Sequence, residues 1–172
     1  MQILIRVLER VMDAIGTFCG FLMIFMTINV LYNVVMRYVF NDVSIGMQEL
    51  EWHLFSAMFM LGIAYTLKED GHVRVDVIYS NLSKKSQSII NIFGVLIFVL
   101  PVTFVIIYFS VGYTLDAYDM MEGSPDPGGL PYRWIVRSVI PISSLFLVMS
   151  SVYSILVQIQ IISEQKNLGK LS

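Results

Sequence analysis

The sequence predicts an all-α integral membrane protein: four transmembrane helices, short amphipathic interfacial helices, and both termini in the cytoplasm. Three observations predict it. The 172 residues are 56% hydrophobic and only 14% charged, where soluble domains carry about 25% charged residues. The mean hydropathy is +0.73. The charges are not interspersed but gathered between long uncharged runs, so the chain lacks the polar surface to cover a soluble core. We read the 172 residues as a single membrane domain.

Residues 1–13 are amphipathic, with Ile3, Val7 and Arg10 at helical spacing. They suit a short helix lying in the membrane interface. The apolar run that follows is too long for a signal-peptide core and lacks a small-residue cleavage site, so it reads as an uncleaved anchor. Residues 14–36 form the first span and residues 86–115 the third. At about 1.5 Å per residue, the third is longer than a bilayer core of about 30 Å, so it must tilt or project, with Pro101 placed to kink it. The second span, 44–67, carries Glu49, Glu51 and His53 near its start. Ser44 is its expected N-cap, and carboxylates in the first turns suit the helix dipole. The fourth span, 131–163, opens near Pro131 and contains Pro141.

The loops are read in turn. In 70–85, Val73, Val75 and Val77 alternate with Arg74 and Asp76. His72, Arg74, Asp76, Lys84 and Lys85 are expected in a surface element on the cytoplasmic face, the lysines near anionic headgroups. The Pro- and Gly-rich stretch 122–134 is expected to be a rigid, irregular turn. Eight Lys and Arg fall on the side of the termini and the 68–85 loop, against three (Arg37, Arg133, Arg137) on the other. The positive-inside rule therefore places both termini in the cytoplasm, and Trp52 and Trp134 then fall at the outer interface.

Few residues could carry chemistry. Asn29, Asn33 and Arg37 are spaced i, i+4, i+8 on the first helix; Glu49, His53 and Ser56 are spaced i, i+4, i+7 on the second. The two stripes are expected to meet as an interhelical clamp, with Arg37 against Glu49. A proton or cation relay is the functional alternative. The charges sit at the membrane boundary rather than the midplane, which favours the clamp. Glu49 and Glu51 point about 200° apart on a helix, so they form no acid pair. Haem ligation needs facing histidines, and His53 and His72 are predicted on opposite faces. Hydrolase and metalloprotease motifs are missing. Cys19 is the lone cysteine, so no intramolecular disulfide forms. We expect no catalytic residue, no cofactor and no metal. A net charge of −2 speaks against a nucleic-acid partner. Asp116, Asp119, Glu122, Asp126 and Arg133 are candidate contacts for a soluble partner outside the membrane, the alternative for the acidic group being an ordinary solvated face. The serines 143, 144, 150, 151 and 154 of the fourth span are read as small residues for close packing.

Read together, Arg37-Tyr38-Val39-Phe40-Asn41, Glu49-Leu50, Gly62-Ile63-Ala64 and Gly71-His72-Val73-Arg74-Val75-Asp76 occur in an order that resembles the small membrane subunit of tripartite ATP-independent periplasmic (TRAP) transporters. Gly128-Gly129-Leu130-Pro131, Arg137 and Pro141 extend the likeness. The sequence departs from the family at Gly46 and Gln48, where a Trp and a first carboxylate are common. The resemblance implies a bacterial inner-membrane scaffold subunit. A large elevator-type membrane subunit would carry an organic anion with sodium, and a periplasmic binding protein would deliver it. The alternative is a small stand-alone homo-oligomeric transporter or exporter. Against it, none of the four spans holds an ionisable residue at its middle.

Overall fold

The computed structural model describes residues 1–71 and 79–168. Among these there is no strand. Four helices are long and apolar enough to cross a bilayer: α1 (Gln2–Phe40), α2 (Ile45–Lys68), α3 (Lys84–Asp119) and α4 (Trp134–Leu168). The turn at 41–44 and the loop at 120–133 share one end, called the tip; the start of α1 and the end of α4 lie at the other. The amphipathic residues 1–13 are not a separate helix. They continue into α1 without a break, because nothing between Gln2 and Val35 interrupts the hydrogen-bond ladder: no Pro occurs there, and Gly16 and Gly20 are tolerated singly.

The α1 seam follows a seven-residue period. Leu8, Met12, Ile15 and Asn29 are buried, and Cys19, Leu22, Met26, Asn33 and Met36 are half-buried. Steps of four and three alternate throughout, as in a left-handed helix pair. Near the termini, Met12 and Ile15 close on Leu61 and Ala64 of α2. Gly16 is required there: a Cβ would sit 2.6 Å from the Tyr65 ring. Lys68 ends α2, 2.6 Å from both Asp13 and Glu69. The end of α2 is closed by a Schellman motif. Asp70 takes a φ of 56°, and the Gly71 and Asp70 N–H groups donate to Thr66 O and Leu67 O at 3.0 and 3.3 Å.

Packing runs α1 on α2, α2 on α4, and α4 on α3, with a smaller α1–α4 contact. The helices form an open row with α4 inside it rather than a closed four-helix ring. Buried Ser143 and Ser150 lie seven residues apart on α4, as do buried Ser144 and Ser151. The two rows are about 100° apart around the helix, so α4 can accept a close neighbour on two sides. Ser150 Oγ donates to Ala64 O of α2 at 2.7 Å. Most other buried hydroxyls bond within their own helix, as Ser144 and Ser151 do to the carbonyls four residues back. The large apolar side chains point outward instead: Phe21, Ile28, Phe98 and Phe109 are all exposed. Such outward apolar faces suit lipid or a neighbouring membrane helix rather than water.

The α3 seam is Ser88, Val95, Thr103, Ser110 and Ala117. Every step is seven residues except the one from Val95 to Thr103. A π-turn at Val95–Val99 lies inside that step and takes up the extra residue. Pro101 follows it by two residues; it has no N–H to donate and its ring would clash with the carbonyl four residues back, so it suits a widened turn just before it. The seam stays on α4 across the widening.

Candidate functional site

The tip concentrates the polar side chains that the spans lack. Ser44 caps α2, its hydroxyl accepting from Met47 N at 3.3 Å. Just inside, Glu49 reaches the 120–133 loop. One carboxylate oxygen accepts from the Ser124 hydroxyl and the other from Leu130 N at 2.6 Å. Ser124 N also donates to Leu130 O at 3.0 Å, so the loop is pinched at its neck. Its apex is a turn over Asp126-Pro127-Gly128-Gly129, closed by Gly129 N to Asp126 O at 3.0 Å. Pro stands at the second position and Gly128, with φ of 83°, at the third, the requirement of a type II turn. Neither flanking glycine has room for a side chain. A Cβ on Gly129 would come 2.8 Å from Glu49 Oε2, and one on Gly46 3.2 Å from Gly128 O.

The other flank of the loop is held by Glu122. Its Oε1 lies 2.6 Å from Arg137 Nη2 and 3.7 Å from Arg133 Nη1. The Arg137 guanidinium also stacks 3.9 Å from the centre of the Tyr113 ring, a cation–π contact. Met121, with φ of 47°, ends α3 in a second Schellman arrangement through Glu122 N to Ala117 O at 3.0 Å. Trp134 meets Tyr118 edge to face at 5.5 Å. The loop predicted to be rigid is fastened to all three helices around it.

The expected meeting of the two polar stripes is corrected here. Asn29 donates to Met47 O at 2.9 Å and Asn33 to Glu51 Oε1 at 2.5 Å, so the α1 asparagines do tie α1 to α2. Their carboxylate partner, however, is Glu51. Glu49, on the other side of α2, serves the loop, and Arg37 is exposed with no ion pair among the described residues. Arg37 sits in a π-turn, Met36–Phe40, that ends α1, so the i, i+4 spacing that aligns Asn29 with Asn33 does not carry over to it, and its side chain is exposed.

His53 is half-buried. With Gln48, Ser56, Asp126 and Arg133 it lines an open cleft of about 470 Å³ between α2 and the loop. Comparison with protein families decides what this arrangement belongs to. Residues 26–161 match the tripartite ATP-independent periplasmic transporters, DctQ component. The chain belongs to the DctQ family. It is a small permease component of such a transporter, embedded in a membrane, and not an enzyme. No curated protein matches the chain.

The match spans the whole DctQ tip and reaches past Ser150. The remaining predicted residues fall into three groups. His72, Arg74 and Asp76 lie outside the described residues. Lys84 and Lys85 do not precede the third helix but form its exposed first turn, capped by Ser83 accepting from Ser86 N at 3.2 Å. Of the proposed outer contacts, Asp116, Asp119 and Asp126 are exposed, whereas Glu122 and Arg133 are committed to each other. Sequence reasoning missed Glu51, Ser124, Leu130 and Arg137 as members of the constellation. Two signals pointed to them. Glu49 and Glu51 on opposite helix faces must have different partners. A Pro-Gly loop, moreover, leaves backbone N–H groups, such as that of Leu130, for a nearby carboxylate.

Proposed function

We propose that this chain is the fixed, non-transporting subunit of a sodium-coupled importer in the bacterial inner membrane. In this reading the termini are cytoplasmic and the tip is periplasmic. The helices pack on a large elevator-type membrane subunit that carries an organic anion. The tip helps to seat the periplasmic binding protein that delivers it. The observation that carries this reading is where the polar groups go. In α2, no charged side chain occurs between Glu51 and Lys68, and the buried hydroxyls of Thr103, Ser110, Ser143, Ser144, Ser150 and Ser151 are spent on helix backbone. A transport site needs polar groups left free near the midplane. An open row of helices with apolar outer faces suits a lateral partner instead.

Reconstitution tests it. Proteoliposomes holding this chain alone are expected to show no substrate flux. Mild-detergent purification of the tagged chain is expected to bring a large membrane protein in stoichiometric amount. Flux is expected only when that partner and the binding protein are present with a sodium gradient. Flux by the chain alone would show a stand-alone transporter and sink the scaffold reading.

A further inference from the structure

At the tip, between α1 and α2, lies a notch of about 220 Å³ bordered by Val30, Val34, Arg37, Tyr38, Glu51 and Trp52. At about 30 Å³ per water molecule, it has room for roughly seven waters, more than a structural water needs. We propose that it holds the headgroup of a phosphatidylethanolamine molecule, the phosphate on Arg37 and the ammonium on Glu51.

Three features converge on that chemistry. First, opposite charges line one notch without pairing. Arg37 forms no ion pair among the described residues, and Asn33 occupies one acceptor site of Glu51. A carboxylate offers about four such sites, so an ammonium with its three donors can be received beside Asn33. Second, the walls are amphipathic in the right direction. Val34 and Val30 lie one and two turns below Arg37 on the same face of α1, and they extend the polar notch toward the bilayer interior, where acyl chains run. Third, Tyr38 and Trp52 are 76% and 71% exposed on its rim, as aromatic rings are at headgroup depth. A basic side chain from a partner helix would satisfy Glu51 but place a second cation near Arg37. A phosphate and ammonium in one molecule satisfy both. Choline headgroups have no N–H to give Glu51, and glycerol headgroups have no cation.

The test is native mass spectrometry of the full chain from micelles holding phosphatidylethanolamine, phosphatidylcholine and phosphatidylglycerol in equal amounts. The ethanolamine lipid is expected to be retained about tenfold over the others, the worth of one charge-assisted hydrogen bond. Glu51→Gln keeps an oxygen for Asn33 and is expected to lower ethanolamine-lipid retention to the choline level. Arg37→Gln is expected to lower retention of all three. Circular dichroism of each variant establishes that the helices are intact. Equal retention by the unmodified chain, or an undiminished preference in Glu51→Gln, overturns the assignment. So does displacement by glycerophosphoethanolamine as effective as by the lipid, since that would mark a site for a soluble zwitterion. Repeating the measurement on the assembled complex provides the last arm: loss of the preference on assembly would show a partner side chain in the notch.

Discussion

A carboxylate whose two oxygens each hold a different part of one loop fixes that loop's shape as well as its position. Glu49 does this through the Ser124 hydroxyl and the Leu130 amide, and the glycines at 46 and 129 allow the approach. Hydrogen bonds to a charged acceptor are stronger than neutral ones, and Leu130 N has no other acceptor among its described contacts. Glu49→Ala is therefore expected to leave the helices in place but free the loop's neck. Hydrogen–deuterium exchange should read this directly, with the Leu130 amide exchanging roughly tenfold faster while amides in the middle of α2 are unchanged. Exchange at Leu130 indistinguishable from the parent chain would show that the Ser124–Leu130 backbone contact alone holds the neck. A residue list could propose Glu49 as structural, but it could not choose the partner. Arg37 looked aligned because i, i+4, i+8 reads as one stripe, whereas the π-turn at Met36–Phe40 breaks that register just before it.

Among the elements, α3 shows how a helix absorbs a proline without losing its partner. Its seam advances by seven residues, then by eight across the π-turn at Val95–Val99, then by seven again. If Pro101 is the cause of the π-turn, removing both the proline and the extra residue should restore a plain α-helix with the same seam. Deletion of Ile97 combined with Pro101→Ala is expected to fold, with helix content and thermal midpoint close to the parent's. Deletion of Ile107, in the regular part of α3, should instead turn Ser110 and Ala117 about 100° off α4 and abolish assembly of the purified chain. Equal damage from both deletions would mean that the π-turn is not a compensating insertion. The α1–α2 contact admits a simpler test. At Gly16 a Cβ would press into the Tyr65 ring, so Gly16→Ala is expected to destabilise by about 1–3 kcal/mol as an overpacked site. Tyr65→Leu in the same chain should recover part of that, as measured by unfolding in mixed micelles. The helices themselves were legible from the uncharged runs and Ser44. The continuous α1 was not, because an amphipathic start reads as interfacial whether or not the backbone breaks after it. The first turn of α3 was misjudged for a related reason: two lysines oppose a helix N-terminus electrostatically, and only the Ser83 cap marks it.

At the scale of the whole molecule, composition and hydropathy settle the solvent but not the arrangement of four helices within it. Short connections make α1 and α2 neighbours. They say nothing about whether α3 or α4 sits beside α2, because the 68–84 crossing is long enough for either. The serine pairs on α4 allow α4 to stand between two others, since two small-residue rows about 100° apart leave room for a close neighbour on each of two sides. The row is α1–α2–α4–α3, with α4 inside and α3 at its edge. Cysteine cross-linking separates this from a closed ring. In a Cys19→Ser background, Ala64→Cys with Ser150→Cys joins positions where α2 and α4 touch through Ser150 Oγ and Ala64 O at 2.7 Å, and mild oxidation is expected to link them within one chain. Phe21→Cys with Val105→Cys places thiols on the exposed faces of α1 and α3, and no intramolecular link is expected. Efficient linking of that second pair would require α1 and α3 to be adjacent. It would close the row into a bundle and take away the open apolar flank on which the proposed lateral partner would pack.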